Sequence, residues 1–251
     1  MKYEGKVAII SGGCSGMGRL AAHRILEGGG SVTIADVNPA AFAEVTEENA
    51  ANAERLLCVE CDVRFYDQVE NVVNKCIEKF GRVDYMLNFA GGSSARIWHT
   101  TGNFVEKPVE VIEWGLDVNL KGPMWFSRAV LKHMMKQESG VIILMGSITG
   151  YEGGDIDYAA AKSGLMTGVV KTLAQIGAPY GVRACCVAPG PVMTRPGMAN
   201  MPTMLGYQAE PCEVVDLIEF LISDSARSVT GSTYFIDGGR SSTRMDMKFG
   251  K

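Results

Sequence analysis

The sequence predicts an α/β protein whose parallel β-sheet is covered by helices on both faces. Short β-branched apolar runs alternate with longer amphipathic stretches along the chain, which is the pattern of repeated strand–helix–strand units. The strand candidates are residues 6–10, 31–35, 56–60, 83–88, 140–146, 182–187 and 232–236. Helices are expected in the gaps between them, for instance at 16–29, 65–80, 119–137 and 157–177.

Length and charge bound the class of protein. With 251 residues, 47% of them hydrophobic and 21% charged, the chain can bury one core, so we expect a single domain over residues 1–251. A net charge of -4 and the lack of a Lys/Arg run argue against nucleic-acid and membrane partners. The apolar run at 7–10 is too short for a signal peptide or a spanning helix, so a cytoplasmic location is expected.

The seven cysteines are predicted to be free thiols, because their number is odd and a chain of this size needs no disulfides. Cys58 and Cys61 have redox-motif spacing, but an odd separation on a strand puts them on opposite faces of the sheet. The same holds for Cys185 and Cys186. We interpret all seven as small core residues. No second Cys pair and no His spacing completes a zinc site, so no metal is predicted.

The segment from Pro189 to Pro211 interrupts the alternation, because five prolines preclude a long regular helix. Four methionines in it could line an adaptable pocket wall or fill gaps in the core. We favour a pocket lining or lid and expect a substrate loop at about 191–211. The methionines are Met193, Met198, Met201 and Met204.

A glycine-rich turn, "SGGCSGMG", joins the first predicted strand to the first helix. Gly12, Gly16 and Gly18 would let the backbone approach a pyrophosphate at the positive end of the helix. Such turns also serve packing, so a second feature is needed to favour a cofactor.

Asp36 supplies that feature, because it ends the second predicted strand, where a carboxylate accepts hydrogen bonds from an adenosine ribose. Taken singly it could be a helix-capping residue. Its charge would repel a 2′-phosphate, and neither Cys14 nor Val37 offers a compensating positive charge. NAD is therefore predicted rather than NADP.

Together these residues resemble the classical short-chain dehydrogenase/reductase family. The glycine turn is similar to T-G-x-x-x-G-x-G with Ser11 in the Thr place, "NFAG" stands for N-N-A-G, and "IDGG" resembles the closing strand. The matches run in family order from residue 6 to about 239. The resemblance implies a doubly wound Rossmann-type fold with seven parallel strands, an oxidoreductase, and a homotetramer or homodimer.

The resemblance also implies the site residues. The catalytic set is Tyr158, Lys162, Ser147 and Asn119, with Asn119 positioning the water chain that carries the proton out. The cofactor contacts are Gly12, Ser15, Gly16, Met17, Gly18, Asp36, Val37, Asp62, Val63, Asn88, Ala90, Gly91, Tyr158, Lys162, Pro189, Gly190, Val192 and Thr194.

Tyr158 and Lys162 lie four residues apart, on one face of the predicted helix. A free phenol ionises about 3 pH units above neutrality, and each unit is worth about 1.4 kcal/mol. A positive charge about 4 Å away, at an effective dielectric of about 20, contributes roughly 4 kcal/mol. The pair is therefore predicted to be a base and the charge that tunes it. Glu152 and Asp157 are interpreted as helix-start charges.

The sequence departs from the family pattern near the reacting groups. Phe89 replaces the second Asn of N-N-A-G. Ser147 precedes Tyr158 by only 11 residues, about two fewer than is usual in the family, which leaves Thr149 as a second candidate hydroxyl. Ser147 would hold the substrate oxygen by a hydrogen bond.

The loops that flank the family's substrate pocket also differ in length. The stretch 92–108 is longer than usual and the segment after Thr194 is shorter, so the substrate cannot be copied from a relative. Arg96, Trp98 and His99 in the longer loop could contact an anionic or ring-shaped substrate. We interpret them instead as a solvated loop face.

The function expected is NAD-dependent hydride transfer involving a secondary hydroxyl of a polyol, sugar derivative, hydroxy acid or steroid-like ring. A 3-oxoacyl-[acyl-carrier-protein] reductase is the alternative within enzymes, although it usually prefers NADPH and a basic docking patch. A non-catalytic dinucleotide-binding regulator is the alternative of another class. The complete Ser, Tyr and Lys set argues against the regulator, which has no chemical need for all three.

Overall fold

One sheet of seven parallel strands organises the computed structural model of the chain, which describes residues 2–100 and 103–242. The strands lie in the order β3-β2-β1-β4-β5-β6-β7. They are β1 (Val7–Ser11), β2 (Ser31–Asp36), β3 (Leu56–Glu60), β4 (Tyr85–Asn88), β5 (Gly140–Met145), β6 (Val182–Pro189) and β7 (Thr233–Ile236). The predicted doubly wound fold is confirmed, and each observed strand end lies within two residues of the predicted one.

Ten α-helical segments occur in the described residues. They are α1 (Gly16–Glu27), α2 (Phe42–Glu48), α3 (Tyr66–Phe80), α4 (Ser94–Ile97), α5 (Val109–Leu116), α6 (Gly122–Gln137), α7 (Thr149–Glu152), α8 (Ile156–Gly164), α9 (Val170–Gly177) and α10 (Pro211–Ile222). No helix in the described ranges is long and apolar enough to cross a membrane.

Alternate residues of the strands pack into two separate cores. Ile9 of β1 belongs to the core under α3, α6 and α9, whereas Ile10 belongs to the core under α1 and α10. Because both faces are covered, the strands read as continuous apolar runs. The sheet is therefore buried except at its edges, and the ends of the strands are where side chains can meet a ligand.

The cysteine prediction is confirmed in its geometry and corrected at one residue. Cys58 and Cys61 contact opposite cores, as do Cys185 and Cys186. All seven are free thiols, but Cys212 is exposed rather than buried. It lies near the start of α10, whose buried face runs through Val214, Val215, Ile218, Leu221 and Ile222, so the thiol turns to solvent.

Helices α5 and α6 are joined through a wider π turn, Asp117–Lys121, which carries Asn119. The Nδ2 of Asn119 donates to the carbonyl oxygen of Gly115 at 2.9 Å. That carbonyl lies four residues earlier, where a regular helix would use it for its own ladder, which accounts for the wider turn. Asn119 is thereby fixed in a fully buried position.

The predicted substrate loop contains only one short 3₁₀ turn, Pro196–Met198, in agreement with its proline content. Its two ends are held together, because Val192 bridges Ala209 and the N–H of Met193 donates to the Ala209 oxygen at 2.9 Å. The prediction of one domain over 1–251 includes residues outside the described ranges and stays a prediction.

Candidate active site

Two adjoining cavities lie at the carboxyl ends of the strands, on either side of the point where the strand order reverses between β1 and β4. The turn cavity, lined by the glycine turn and Asp36, has a volume of about 550 Å³. The tyrosine cavity, lined by Tyr158 and Lys162, has a volume of about 460 Å³. Their shared wall consists of Met17, Phe89, Gly91 and Thr194.

The glycine turn packs closely against neighbouring backbone at Gly12 and Gly18, whereas Gly16 faces open space. A Cβ atom on Gly12 would lie 2.7 Å from the backbone nitrogen of Ala90, and one on Gly18 would collide with the Gly12 carbonyl oxygen. Gly12 has a φ of 71° and Gly16 a φ of 51°, a region that favours glycine. The turn leads directly into the N-terminus of α1, whose unpaired N–H groups can bind an anion.

Asp36 lies at the end of β2, on the wall of the turn cavity. One carboxylate oxygen accepts a hydrogen bond from the N–H of Cys14 at 3.0 Å, and the other accepts from the N–H of Asn38 at 3.1 Å. These bonds hold the carboxylate beside the glycine turn. Val37 lines the cavity next to it and is 66% exposed.

Two arginines near the turn cavity already have carboxylate partners. Arg19 is paired with Glu44 and Glu48. Arg64 binds Asp62 through several hydrogen bonds, with Nε at 3.0 and 2.9 Å from the two oxygens. Burial alone would raise the pKa of the Asp62 carboxyl, but the bonds from Arg64 outweigh it and hold that pKa below its usual range.

The turn cavity fits the phosphates and adenosine ribose of a dinucleotide. A glycine turn whose Gly16 faces open space, a helix N-terminus and a carboxylate at the end of β2 adjoin one another. Twelve of the predicted contacts line this cavity. They are Gly12, Ser15, Gly16, Met17, Gly18, Asp36, Val37, Asp62, Val63, Ala90, Gly91 and Thr194.

The tyrosine cavity brings together Tyr158 and Lys162 of α8 with Ser147, which follows β5. Lys162 is only 4% exposed, and its Nζ donates to the Met145 oxygen at 2.8 Å. The same Nζ lies 5.4 Å from the centre of the Tyr158 ring. Pro189, Gly190 and Val192, predicted as cofactor contacts, line this cavity.

Both candidate hydroxyls lie on the wall of the tyrosine cavity. Ser147 Oγ accepts a hydrogen bond from the N–H of Thr149 at 3.2 Å, so the two residues are neighbours. Within the described residues no hydrogen bond joins Ser147 to the Tyr158 hydroxyl. The shortened loop between them is occupied by α7.

Asn119 lies behind the cavity wall, with Gly91 between it and Lys162. Its Oδ1 accepts from the N–H of Gly92 at 2.9 Å, and its Nδ2 donates to the Gly92 oxygen at 3.0 Å. A Cβ on Gly91 would lie 2.6 Å from Asn119 Oδ1 and 3.6 Å from Lys162 Nζ. Only glycine therefore lets these two side chains approach each other.

Asn88 is the predicted cofactor contact that the structure places away from both cavities. It is 1% exposed, and its Nδ2 donates to the Ile143 oxygen at 3.1 Å, which ties β4 to β5. Its Oδ1 is buried without a hydrogen-bond partner in the described chain.

A buried charged network beside α8 was not predicted from the sequence. Lys107, with a side chain only 1% exposed, is paired with Asp155 and Asp157 and donates to Ser94 Oγ at 2.7 Å. Burial alone would lower the pKa of the Lys107 ammonium, but its hydrogen bonds to the two carboxylates outweigh burial and raise the pKa above its usual value. Asp157, predicted as a helix-start charge, does lie in the first turn of α8.

This network ties the segment around α4 to the start of the helix that carries Tyr158. Asp155 accepts hydrogen bonds from Ser93 Oγ at 2.9 Å and from the N–H of Ala95 at 3.2 Å. A Cβ on Gly115 would collide with Asp157, so α5 packs directly on this carboxylate. The network therefore positions one wall of the tyrosine cavity.

Comparison with known proteins identifies the family. A sequence model described as short chain dehydrogenase matches residues 6–204. The chain is 33% identical over 253 residues to 3beta-hydroxysteroid dehydrogenase 2 of Eggerthella lenta, covering 94% of each chain. It is 32% identical over 251 residues to the 3-oxoacyl-[acyl-carrier-protein] reductase FabG of Thermotoga maritima, covering 95% of this chain and 99% of that protein. The crystal structure of levodione reductase matches with a TM-score of 0.87 and 28% identity, covering 96% of this chain and 100% of that one.

The chain belongs to the short-chain dehydrogenase family. The resemblance stated from the motifs is therefore confirmed. This short-chain dehydrogenase is an oxidoreductase that uses a nicotinamide dinucleotide to interconvert alcohol and carbonyl groups by hydride transfer. Within its described residues, no group of three or more His, Cys, Asp or Glu side chains is placed to hold a metal ion.

Replacement of Lys107 tests whether the buried network holds this region together. Lys107→Met leaves two carboxylates next to an apolar side chain, and we expect the free energy of unfolding to fall by about 3–5 kcal/mol. The matched control is Lys121→Met, which removes the solvent-exposed pair with Asp117 and should cost at most about 1 kcal/mol. Urea unfolding at one protein concentration measures both, and equal losses would contradict the structural role of the network.

Proposed function

We propose that this short-chain dehydrogenase oxidises a secondary alcohol to a ketone with NAD, and reduces the ketone when run in reverse. The observation that carries the proposal is the meeting of Tyr158, Lys162 and Ser147 on the wall of one cavity that adjoins the glycine turn. When bound, the nicotinamide supplies the acceptor for the hydride. The candidate substrates are a polyol, a sugar derivative, a hydroxy acid or a steroid-like alcohol.

Tyr158 accepts the proton of the substrate hydroxyl. Tyr158 takes that proton as a phenolate, whose negative charge the ammonium group of Lys162 favours, because the two residues lie on one face of α8 and the ammonium is shielded from water. Ser147 donates a hydrogen bond to the substrate oxygen and stabilises its developing charge. Thr149, its neighbour on the same wall, is the second candidate for this role.

Asn119 and Lys162 form the exit for the proton. Their positions on either side of Gly91 support this role, because a proton that leaves Tyr158 then passes a lysine and an amide that can order water. The fully buried Asn119 holds its position through hydrogen bonds to Gly92 and Gly115. It therefore acts without contacting the substrate.

The preference for NAD over NADP rests on charge. Asp36 presents a carboxylate at the position that would face a ribose 2′-phosphate. Arg19 and Arg64, which could otherwise neutralise such a phosphate, are already bound to carboxylates. Both observations support a cofactor without the phosphate.

A second candidate function is 3-oxoacyl-[acyl-carrier-protein] reduction, favoured by the 32% identity to the enzyme of Thermotoga maritima. A strong preference for NADPH would favour this candidate.

For the assembly we infer a homotetramer or homodimer, as the family resemblance implies. We further propose a cytoplasmic location, one domain over 1–251, and a substrate loop at about 191–211.

The proton-transfer role is tested by Tyr158→Phe, which removes one hydroxyl and keeps the ring. We expect the rate of alcohol-dependent NAD reduction to fall by about 10²–10⁴, because that is the usual contribution of a general base. The matched control is Tyr151→Phe on α7, whose tyrosine is 63% exposed. Absorbance of NADH over a panel of secondary alcohols measures both variants. Unchanged hydride transfer in Tyr158→Phe would show that the proposed base is wrong.

The cofactor preference is tested by Asp36→Asn, which removes the charge and keeps the shape. We expect NAD to bind about tenfold more weakly and NADP more tightly than in the wild type, because a charge-assisted hydrogen bond is lost and a repulsion disappears. Fluorescence titrations with NADH and NADPH measure the affinities, with Glu47→Gln on the exposed side of α2 as the control. Wild-type protein that binds NADPH more tightly than NADH would overturn the proposal.

A further inference from the structure

The wall of the tyrosine cavity carries more positive than negative side chains, although the protein has a net charge of -4. Six charged residues line it, four of them basic. They are Arg96, Lys162, Arg195 and Arg240, with Glu152 and Asp155.

Both acidic side chains of this wall have basic partners of their own. Arg240 Nε lies 2.9 Å from each carboxylate oxygen of Glu152. Asp155 is bound to the buried Lys107. Glu152 is thus neutralised by Arg240, and Asp155 shares the charge of Lys107 with the buried Asp157, so the wall as a whole stays positively charged.

Arg96, Arg195 and Lys162 form no ion pair with a carboxylate in the part of the chain that the structure describes. Lys162 is committed to the Met145 oxygen and to Tyr158. The two guanidinium groups are exposed, so only water competes for them. Arg96, predicted to lie on a solvated loop face, is exposed as expected but lines the cavity.

Arg96 is held in position at the edge of the site. The backbone N–H of Arg96 donates to Ser93 Oγ at 3.4 Å, and the backbone N–H of Ala95 donates to the Asp155 carboxylate at 3.2 Å. Its Nη2 lies 2.8 Å from the place of a Cβ on Gly92. Gly92 follows Gly91 in the chain, and a Cβ on Gly91 would lie 3.6 Å from Lys162 Nζ. The Arg96 guanidinium therefore lies on the side of the cavity that adjoins Lys162.

Arg195 reaches the same cavity from the substrate loop. It follows directly after Met193 and Thr194, where the loop base is fixed by the hydrogen bond from Met193 to Ala209. Two guanidinium groups from separate segments therefore line one cavity beside the proposed base. Met198 and Met201 of the same loop add an apolar part to the wall.

We propose that the substrate carries an anionic oxygen group, a carboxylate or a phosphate, which Arg96 and Arg195 bind while its secondary hydroxyl lies at Tyr158. This inference rests on the proposed function of the site. Guanidinium groups present paired N–H donors that match the oxygens of both anions. Of the candidate substrates, hydroxy acids and phosphorylated polyols fit the wall, and uncharged steroid-like alcohols do not.

Substrate pairs of which one member carries the anionic group and the other does not test the inference. One pair is 3-hydroxybutanoate with 3-hydroxybutanamide, and the other is 1,2-propanediol 1-phosphate with 1,2-propanediol. We expect kcat/KM for NAD reduction to favour the anionic member of at least one pair by tenfold or more, and the better pair distinguishes carboxylate from phosphate. Arg96→Gln should reduce this preference at least tenfold by raising KM, and Arg96→Gln with Arg195→Gln should abolish it.

The control is Arg227→Gln, an exposed arginine that lines a different cavity and should leave the preference unchanged. Oxidation of the neutral members at equal or greater kcat/KM would overturn the inference and leave the proposed function standing. If no pair supports hydride transfer, calorimetry of NADH-bound protein with butanoate and with propyl phosphate tests the anion site alone, and the panel of secondary alcohols tests the proposed function. Binding that the double variant loses supports the site, whereas an absence of binding in the wild type overturns it.

Discussion

The buried ammonium group of Lys162 donates its hydrogen bond to the main-chain oxygen of Met145, the last residue of β5. A buried charge costs several kcal/mol unless it is paired or hydrogen-bonded, so this bond constrains how α8 can lie against the sheet. Tyr158, one helical turn earlier on the same face, then lines the cavity beside Ser147. The proposed chemistry depends on that single junction of strand and helix.

The remaining parts of the site are arranged around this junction by the parallel sheet. Because all seven strands run in one direction, the glycine turn after β1, Asp36 at the end of β2 and Ser147 after β5 meet at one edge. The network of Lys107, Asp155 and Asp157 braces the same helix from its N-terminal end. Lys107 also offsets part of the negative charge of Asp155, the carboxylate of this network that lines the tyrosine cavity.

Local spacing explains how much of this could be predicted. The glycine turn and the Tyr158–Lys162 pair could be predicted, because a single turn or a single helix fixes their geometry. The alternation of apolar and amphipathic stretches predicted every strand. The Lys107 network could not be predicted, because the two carboxylates that bind Lys107 lie 48 and 50 residues from it along the chain. Cys212 was wrongly assigned to the core because its exposure depends on which face of α10 is buried. The place of Arg96 on the cavity wall was not predicted, because nothing in its own loop shows that the loop returns to the cavity.

The most direct test of the account is the loss of Lys162, since one side chain is proposed to serve both the base and the cofactor site. Stopped-flow single-turnover measurements at saturating NAD, with NADH fluorescence titrations, would compare Lys162→Met with Lys171→Met, a change at an exposed lysine of α9. The account predicts a fall in the hydride-transfer rate of about 100-fold or more and weaker NADH binding in Lys162→Met alone. A hydride-transfer rate in Lys162→Met equal to that of the control would contradict it.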